Sequence, residues 1–160
     1  EAEWEFAARG GSDSEYAWGD ELAPDGAMMA NYRQGQFPHA NSELDGYTRT
    51  SPVRHYPANG YGLFDMIGNV WEWTCDWYAQ PRIMKKARGS CCIPANPRGG
   101  TRGASIAKGD TSRIPRRVLK GGSHLCAEDY CRRYRPAARY AQPIDTTSCH
   151  IGFRCVVRRG

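Results

Sequence analysis

Cys126 and Cys131 lie inside a basic, aromatic, glycine-led segment running from Val118 to Arg139, VLKGGSHLCAEDYCRRYRPAAR. A separation of five residues puts the two side chains on opposite faces of a strand and about 140° apart around a helix. The sulfurs can meet only where the backbone is irregular. Three chemistries suit such a pair: a structural disulfide in an oxidising compartment, two unrelated buried thiols in a reducing one, or a soft-metal site in either. Zinc usually takes tight CxxC pairs, which this segment lacks. Gly121-Gly122, just upstream, lets another group approach the backbone closely.

Oxygen side chains form a second class of candidates. Asp65 and Glu72 flank the Gly68-Asn69 turn, an arrangement able to wrap a hard cation in carboxylate and carbonyl oxygens. The same pair can instead cap the turn, pair with arginines, or do general acid and base work. Asn31 and Asp45 stand at turn positions, where calcium ligation competes with local hydrogen bonding. His150 reads as a ligand or base, or as a structural hydrogen-bonding group at a strand start.

Several elements must position these groups. Glu1 to Arg9, EAEWEFAAR, has helix-forming residues, apolar positions at Trp4, Ala7 and Ala8, and Gly10-Gly11 as a stop. It has no capping residue before it, so the chain reads as the later part of a longer domain, with ~100 residues upstream on domain-size grounds. Asn59-Gly60, Tyr61-Gly62 and Gly68-Asn69 are turn signals around a short buried segment, Leu63 to Ile67. Trp71, Trp73 and Trp77 alternate as in a core strand that buries at least two of the indoles on one side. Ala79 to Arg117 is basic, bears Gly, Pro and Ser, and is almost free of large apolar residues, which predicts a surface excursion. Cys91-Cys92 falls within it, and adjacent thiols do not readily bridge each other. Val118-Leu119 reads as a strand entering the cysteine segment. Ile151, Phe153, Cys155 and Val157 alternate with Gly152, Arg154 and Val156 as a closing strand, paired with core strands that include Val118-Leu119.

The 160 residues are 40% hydrophobic, enough for one domain with its own core. The 18 glycines and 10 prolines exceed the average combined share of about 12%, so short elements and many loops are expected. No apolar run is long enough to span a bilayer. The net charge of +5 concentrates near the cysteines in Arg116, Arg117, Lys120, Arg132, Arg133, Arg135 and Arg139. No nucleic-acid-binding motif accompanies it, so it reads as a solvated basic rim or as ion-pair partners.

Taken in order, EAEWEFAARGG, YAWGDEL, NGYGLFDMIGNVWEWTCDWY, LKGGSHLCAEDYCRRYRPAAR and HIGFRCV resemble the sulfatase-modifying-factor family, in its formylglycine-generating, catalytic branch. GNVWEW and GFR carry the fold alone. The two cysteines within GGSxxCxxxxCxRYRxAAR carry the catalytic branch. The resemblance implies an α+β, C-type-lectin-like fold with little regular structure, of which residues 1–160 are the C-terminal portion of a single domain.

The activity implied is that of an aerobic oxidase. It would convert the cysteine of a CxPxR segment in an unfolded sulfatase to Cα-formylglycine, with O₂ as co-substrate. Cys126 and Cys131 would hold one Cu(I), which soft thiolates favour. Removal of a hydrogen from the substrate Cβ would give a thioaldehyde that water hydrolyses. Ser123 and Tyr130 match residues lining the family's active site. Trp71 matches an aromatic of the substrate groove, Arg135 and Arg139 match arginines near the motif, and His150 stands where many members have a substrate-side asparagine. Asn31, Tyr32, Asp45 and Tyr47 match one Ca²⁺ site, Tyr32 and Tyr47 through backbone carbonyls. Asp65, Gly68, Val70 and Glu72 match a second, Gly68 and Val70 likewise. A monomer is implied, with neither nucleic acid nor membrane as partner.

The chain also departs from the pattern. Ala127 stands where many members have histidine. A structural disulfide of the family is absent at both ends, here Ala8 and Pro136, which fits a bacterial, cytoplasmic and reducing setting; a eukaryotic source would imply the secretory pathway instead. Cys155 matches a half-cystine whose partner would lie upstream, so an unpaired core thiol is expected. Two other classes compete. A non-catalytic lectin-like binding module is favoured if Cys126 and Cys131 form a disulfide. An iron or thiol oxidase would need a histidine triad, and His39, His55, His124 and His150 show no HxxxH spacing.

Overall fold

The computed structural model describes residues 1–80 and 97–157. Helix α1, Ala2–Arg9, ends where Gly10 turns left-handed at φ 60. A Cβ on Gly10 would lie 2.7 Å from the Gly60 nitrogen, so the close approach of the Asn59-Gly60 turn needs a glycine there. Asn59 uses that approach. Its Nδ2 donates to the Ala7 carbonyl at 2.7 Å and the Ala8 carbonyl at 3.2 Å, satisfying two groups the helix end leaves open.

Four strands make one small mixed sheet: β1 Trp71–Trp77, β2 Arg116–Lys120, β3 Arg139–Pro143 and β4 Ile151–Gly152, in the order β3-β2-β1-β4. β1 pairs antiparallel with β2, placing Trp73 opposite Leu119 and Glu72 opposite Lys120. β2 pairs antiparallel with β3, from Arg116↔Pro143 to Lys120↔Arg139. Trp71 is 4% exposed and Trp73 packs against the same core, so two of the three indoles are inside as the alternation predicts. Trp77 instead holds the Arg117 guanidinium 4.2 Å from its ring centroid, a stacking geometry suited to a half-exposed indole.

Helix α1 docks on this sheet through polar contacts. The Trp4 indole donates to Glu72 Oε2 at 2.7 Å, and Lys120, fully buried, pairs with Glu5 at 3.0 Å. Burial pushes the Lys120 ammonium down, and the Glu5 carboxylate opposes that push. A buried lysine without such a partner would be costly.

The end of the chain differs from expectation. β4 is two residues long and pairs parallel with β1, Trp71↔Ile151 and Glu72↔Gly152, not with Val118-Leu119. Alternation states which residues share a face and not which strand lies alongside. Phe153, Val156 and Val157 are 75%, 76% and 88% exposed, and Cys155 is an exposed free thiol, not a core one. Of the excursion, residues 97–115 return to the sheet. Gly100 bridges Trp77, and the buried Ser105 hydroxyl accepts from the Arg116 amide at 3.0 Å. Residues 81–96, with Cys91 and Cys92, lie outside the described residues.

Candidate active site

The segment between β2 and β3 is a folded-back loop pinned at Gly122. With φ 72, a Cβ there would meet the Arg133 carbonyl oxygen at 2.7 Å and the Tyr134 nitrogen at 2.8 Å. The bare backbone thus lets residues 133–134 close over residue 122, the close approach the glycine pair predicts. Tyr134 is fully buried and its ring lies 4.6 Å from that of Tyr32, anchoring the closing end of the loop.

Inside the loop the backbone makes successive turns. The Cys126 amide donates to the Ser123 carbonyl at 2.9 Å, and the Cys131 and Arg132 amides both donate to the Ala127 carbonyl at 3.1 Å. Arg132 adopts φ 39. These turns overcome the divergence a regular element would impose: both cysteines are free thiols, and each sulfur is near enough to shift the acidity of the other.

The two sulfurs are electrostatically unequal. The Cys126 thiol donates to Cys131, which holds the Cys131 thiol down to about 6 against the opposing effect of its burial; the Ala127 and Arg133 amides and the Arg133 charge help. Cys126 is pushed up by the same hydrogen bond and by its burial, while Ser123 hydrogen bonds oppose the rise. The pair is thus polarised, with Cys131 the more acidic thiol and Cys126 the less acidic one. Cys126 is 4% exposed within the main core cluster, whereas Cys131 is half-buried.

The other expected site residues are distributed around this centre. Ser123 is buried and bonded to Cys126. Tyr130 is 68% exposed, with its ring stacked on Phe37 at 4.3 Å between centroids. Trp71 shares the core cluster with Cys126 and lies beneath Tyr140, 5.8 Å away. Arg135 pairs with Glu15 at 3.3 Å, and Arg139 with Glu1 at 2.6 Å. The His150 Nδ1 lies 2.7 Å from the Ser148 hydroxyl, and burial, then the His124 charge, lowers its pKa.

The turn at Gly68-Asn69 is the hub behind the site. The Asn69 side chain brackets Ser51, accepting from its amide at 3.1 Å and donating to its carbonyl at 3.3 Å. Its amide donates to the Asn31 carbonyl at 2.8 Å, and its carbonyl accepts from the His124 amide at 2.9 Å. Gly68 is required, because a Cβ would sit 2.4 Å from the Asn31 carbonyl oxygen. One turn therefore ties together the oxygen-rich loop, the 51 segment and the cysteine loop.

Buried orphan oxygens test the cation expectation. Asp45 is 8% exposed; its Oδ1 accepts from the Tyr47 amide at 3.0 Å, while Oδ2 is buried without a protein partner. That oxygen fits a hard cation. The Tyr32 carbonyl accepts from the Gln34 side chain, and Asn31 Nδ2 donates to the Arg49 carbonyl at 2.7 Å. In the second set Asp65 Oδ1 is likewise buried and unpartnered, with Oδ2 accepting from the Arg54 amide at 2.7 Å. Glu72 is already engaged: Arg154 Nε reaches Oε2 at 2.7 Å, Arg154 Nη2 reaches Oε1 at 2.5 Å, and Trp4 adds a third donor. A cleft of about 400 Å³ lined by Val53, Phe64, Asp65, Glu72, Phe153 and Arg154 opens beside this set. No cluster of three His, Cys, Asp or Glu side chains exists among the described residues.

Sequence reasoning offered an arginine partner for Glu72 without naming Arg154, and it missed the hub role of Asn69 and the packing of His124 and Phe37 around the loop. The GFR and GGSH strings contain two of these residues, but adjacency in sequence says nothing of their partners.

Residues 1–159 match the family model for the sulfatase-modifying factor enzyme 1-like domain. The chain is 53% identical over 157 residues to the formylglycine-generating enzyme of Mycobacterium tuberculosis, covering 98% of this chain and 49% of that protein. It is 34% identical to the inactive Cα-formylglycine-generating enzyme 2 of Bos taurus, covering all of this chain and 43% of that one. Among solved structures, Treponema denticola variable protein 1 superposes with a TM-score of 0.62 at 27% identity, covering 95% of this chain and 44% of that one. The chain spans about half the length of the curated relatives it matches. By its motif order, its loop-dominated α+β fold and these matches, the chain belongs to the sulfatase-modifying-factor family.

Proposed function

We propose that this chain carries the reactive centre of an oxidase that converts the cysteine of a CxPxR segment in a sulfatase polypeptide to formylglycine. The observation that carries the reading is two free thiols turned toward one another by a single folded-back loop, Cys126 buried and Cys131 half-buried, and the lowered pKa of Cys131 supports it. A thiolate is the form in which cysteine binds a soft metal. Cys126 and Cys131 would hold one Cu(I), and copper would supply the one-electron chemistry with O₂ that side chains lack.

The remaining roles fall to the chain itself. Ser123 holds Cys126 from both its backbone and its hydroxyl, keeping the inner sulfur facing Cys131. Half-burial of Cys131 leaves one side open for a third sulfur from an incoming peptide. Tyr130 offers an exposed aromatic face beside it. His150, with its basicity lowered, is a neutral imidazole at pH 7 and serves as a hydrogen-bonding partner for the peptide in the place of asparagine. Trp71 supports the floor of the groove, and Arg135 and Arg139 form its basic side. One Ca²⁺ would serve as a structural staple at Asn31, Tyr32, Asp45 and Tyr47; a second would rest on Asp65, Gly68 and Val70 without Glu72, whose carboxylate Arg154 and Trp4 already occupy. The free thiols at Cys75, Cys149 and Cys155 suit a reducing compartment such as the bacterial cytoplasm. Among the described residues no helix is long and apolar enough to cross a membrane.

The second reading is a lectin-like binding module of the same fold. Free Cys126 and Cys131, not a disulfide, favour the oxidase. Copper-loaded protein incubated with a CxPxR peptide and O₂, followed by mass spectrometry and hydrazide trapping, should show thiol-to-aldehyde conversion. Product equal to that of the Cys131→Ser protein would reject the catalytic reading.

A further inference from the structure

A segment remote in sequence grips the cysteine loop from outside. The Arg33 amide donates to the Cys126 carbonyl at 3.0 Å, and Arg33 bridges Ala127 in parallel. Four residues on, the Phe37 amide donates to Asp129 Oδ2 at 3.0 Å. The Phe37 ring then stacks on Tyr130 at 4.3 Å and an interplanar angle of 17°. Arg33 reinforces the brace, its guanidinium 5.5 Å from the Phe37 ring centroid and its Nη2 donating to the Pro38 carbonyl at 2.8 Å. Residues 126, 127, 129 and 130 of the loop are thus contacted in order by residues 33 to 37.

We infer that Phe37 is a positioning residue that holds Tyr130 in its substrate-facing rotamer beside Cys131. Tyr130 is 68% exposed, and among the described residues Phe37 is its only aromatic neighbour. An exposed tyrosine without a partner samples its rotamers freely and loses that freedom on binding a peptide. The stack removes this cost beforehand. The same segment starts at Asn31-Tyr32, where the Asn69 amide meets the Asn31 carbonyl and the Tyr32 ring packs on Tyr134. The brace therefore transmits the rigidity of the hub to the open edge of the site. This inference rests on the proposed role of Tyr130 in peptide binding.

The test compares Phe37→Ala, Phe37→Tyr, Tyr130→Ala and the Phe37→Ala/Tyr130→Ala double variant in aldehyde formation on a CxPxR peptide. Phe37→Ala should raise KM by up to about tenfold, the ceiling for one aromatic pair, with kcat changed less than about twofold. Phe37→Tyr should keep the wild-type KM within about twofold. The double variant should be no worse than Tyr130→Ala, because the effect of Phe37 passes through Tyr130. Additive losses, or an unchanged KM in Phe37→Ala, would overturn the inference. Hydrogen exchange at the amides of Tyr130, Cys131 and Arg132 provides a readout independent of activity. Phe37→Ala should accelerate these amides and leave those of β1 and β2 unchanged. Accelerated exchange in a protein that makes no aldehyde at all would retain the brace and reject the functional reading. Unchanged exchange would reject the brace.

Discussion

Replacing Cys126 with alanine should change the acidity of Cys131 more than it changes the fold around it. In the native loop the Cys126 thiol donates to Cys131, and this hydrogen bond is the first cause of a Cys131 pKa of about 6. At pH 7 such a thiol is about nine-tenths thiolate, against a few per cent for an ordinary cysteine near 8.5. That is roughly a thirtyfold gain in the reactive form. The acidic thiolate is also intrinsically less nucleophilic, by on the order of tenfold for this difference in pKa, so the absolute rate at pH 7 rises only about threefold. The position of the pH profile is therefore the better readout.

Metal-free, reduced protein treated with iodoacetamide between pH 5 and 10 should show Cys131 alkylation with a midpoint near 6. The sign follows from the direction of the displacement: reactivity is full above the midpoint and falls as Cys131 protonates below it. Cys126, raised instead, should stay unmodified as a thiol into the alkaline range. In Cys126→Ala the donor is gone, and only the Ala127 and Arg133 amides and the Arg133 charge still favour the thiolate against burial. The midpoint should climb by at least about one pH unit toward 8.5. Peptide mapping by mass spectrometry assigns each alkylation. A wild-type midpoint near 8.5, or a midpoint unmoved in Cys126→Ala, would refute the reasoning.

Gly122→Ala should cost about 2–5 kcal/mol in chemical denaturation, from left-handed strain and a Cβ pressed into the Arg133 carbonyl; a loss below about 1 kcal/mol would contradict that geometry. Asp45→Asn should reduce the rise in Tm on adding Ca²⁺ while leaving the calcium-free protein as stable or more so, because it removes a buried carboxylate oxygen that has no protein partner. A calcium-dependent rise as large in Asp45→Asn as in the native protein would remove that site. Arg154→Ala should cost about 2–4 kcal/mol by stranding the Glu72 carboxylate, and Arg154→Lys should restore little of it, since lysine lacks the two-pronged donor. Equal stability of the lysine variant and the native protein would disprove the bidentate role.

Much of this arrangement is legible in the chain where local chemistry decides it. The apolar spacing of Trp4, Ala7 and Ala8 with Gly10 marks α1, and alternating tryptophans mark β1. The five-residue separation of Cys126 and Cys131 requires an irregular backbone, and the Gly121-Gly122 pair signals the close approach that supplies it. The closing strand was not legible. The alternation from Ile151 to Val157 carries a period but no partner, and only Ile151 and Gly152 find one in β1. The hub was hidden for a different reason. Asn69 looks like an ordinary turn residue, yet its side chain and backbone bind Asn31, Ser51 and His124, contacts set by topology and not by neighbours in sequence. Arg154 and Phe37 share that character: each acts on a residue remote in sequence, Glu72 and Tyr130.

The central claim is that the paired sulfurs of one loop hold a single monovalent soft ion. Titrating the reduced protein with Cu(I) against a colorimetric competitor, with X-ray absorption on the loaded sample, tests it most directly. One copper per chain with two sulfur neighbours, lost in both Cys126→Ser and Cys131→Ser, is the predicted result. Copper bound equally well by either variant, or a coordination shell without two sulfurs, would contradict it.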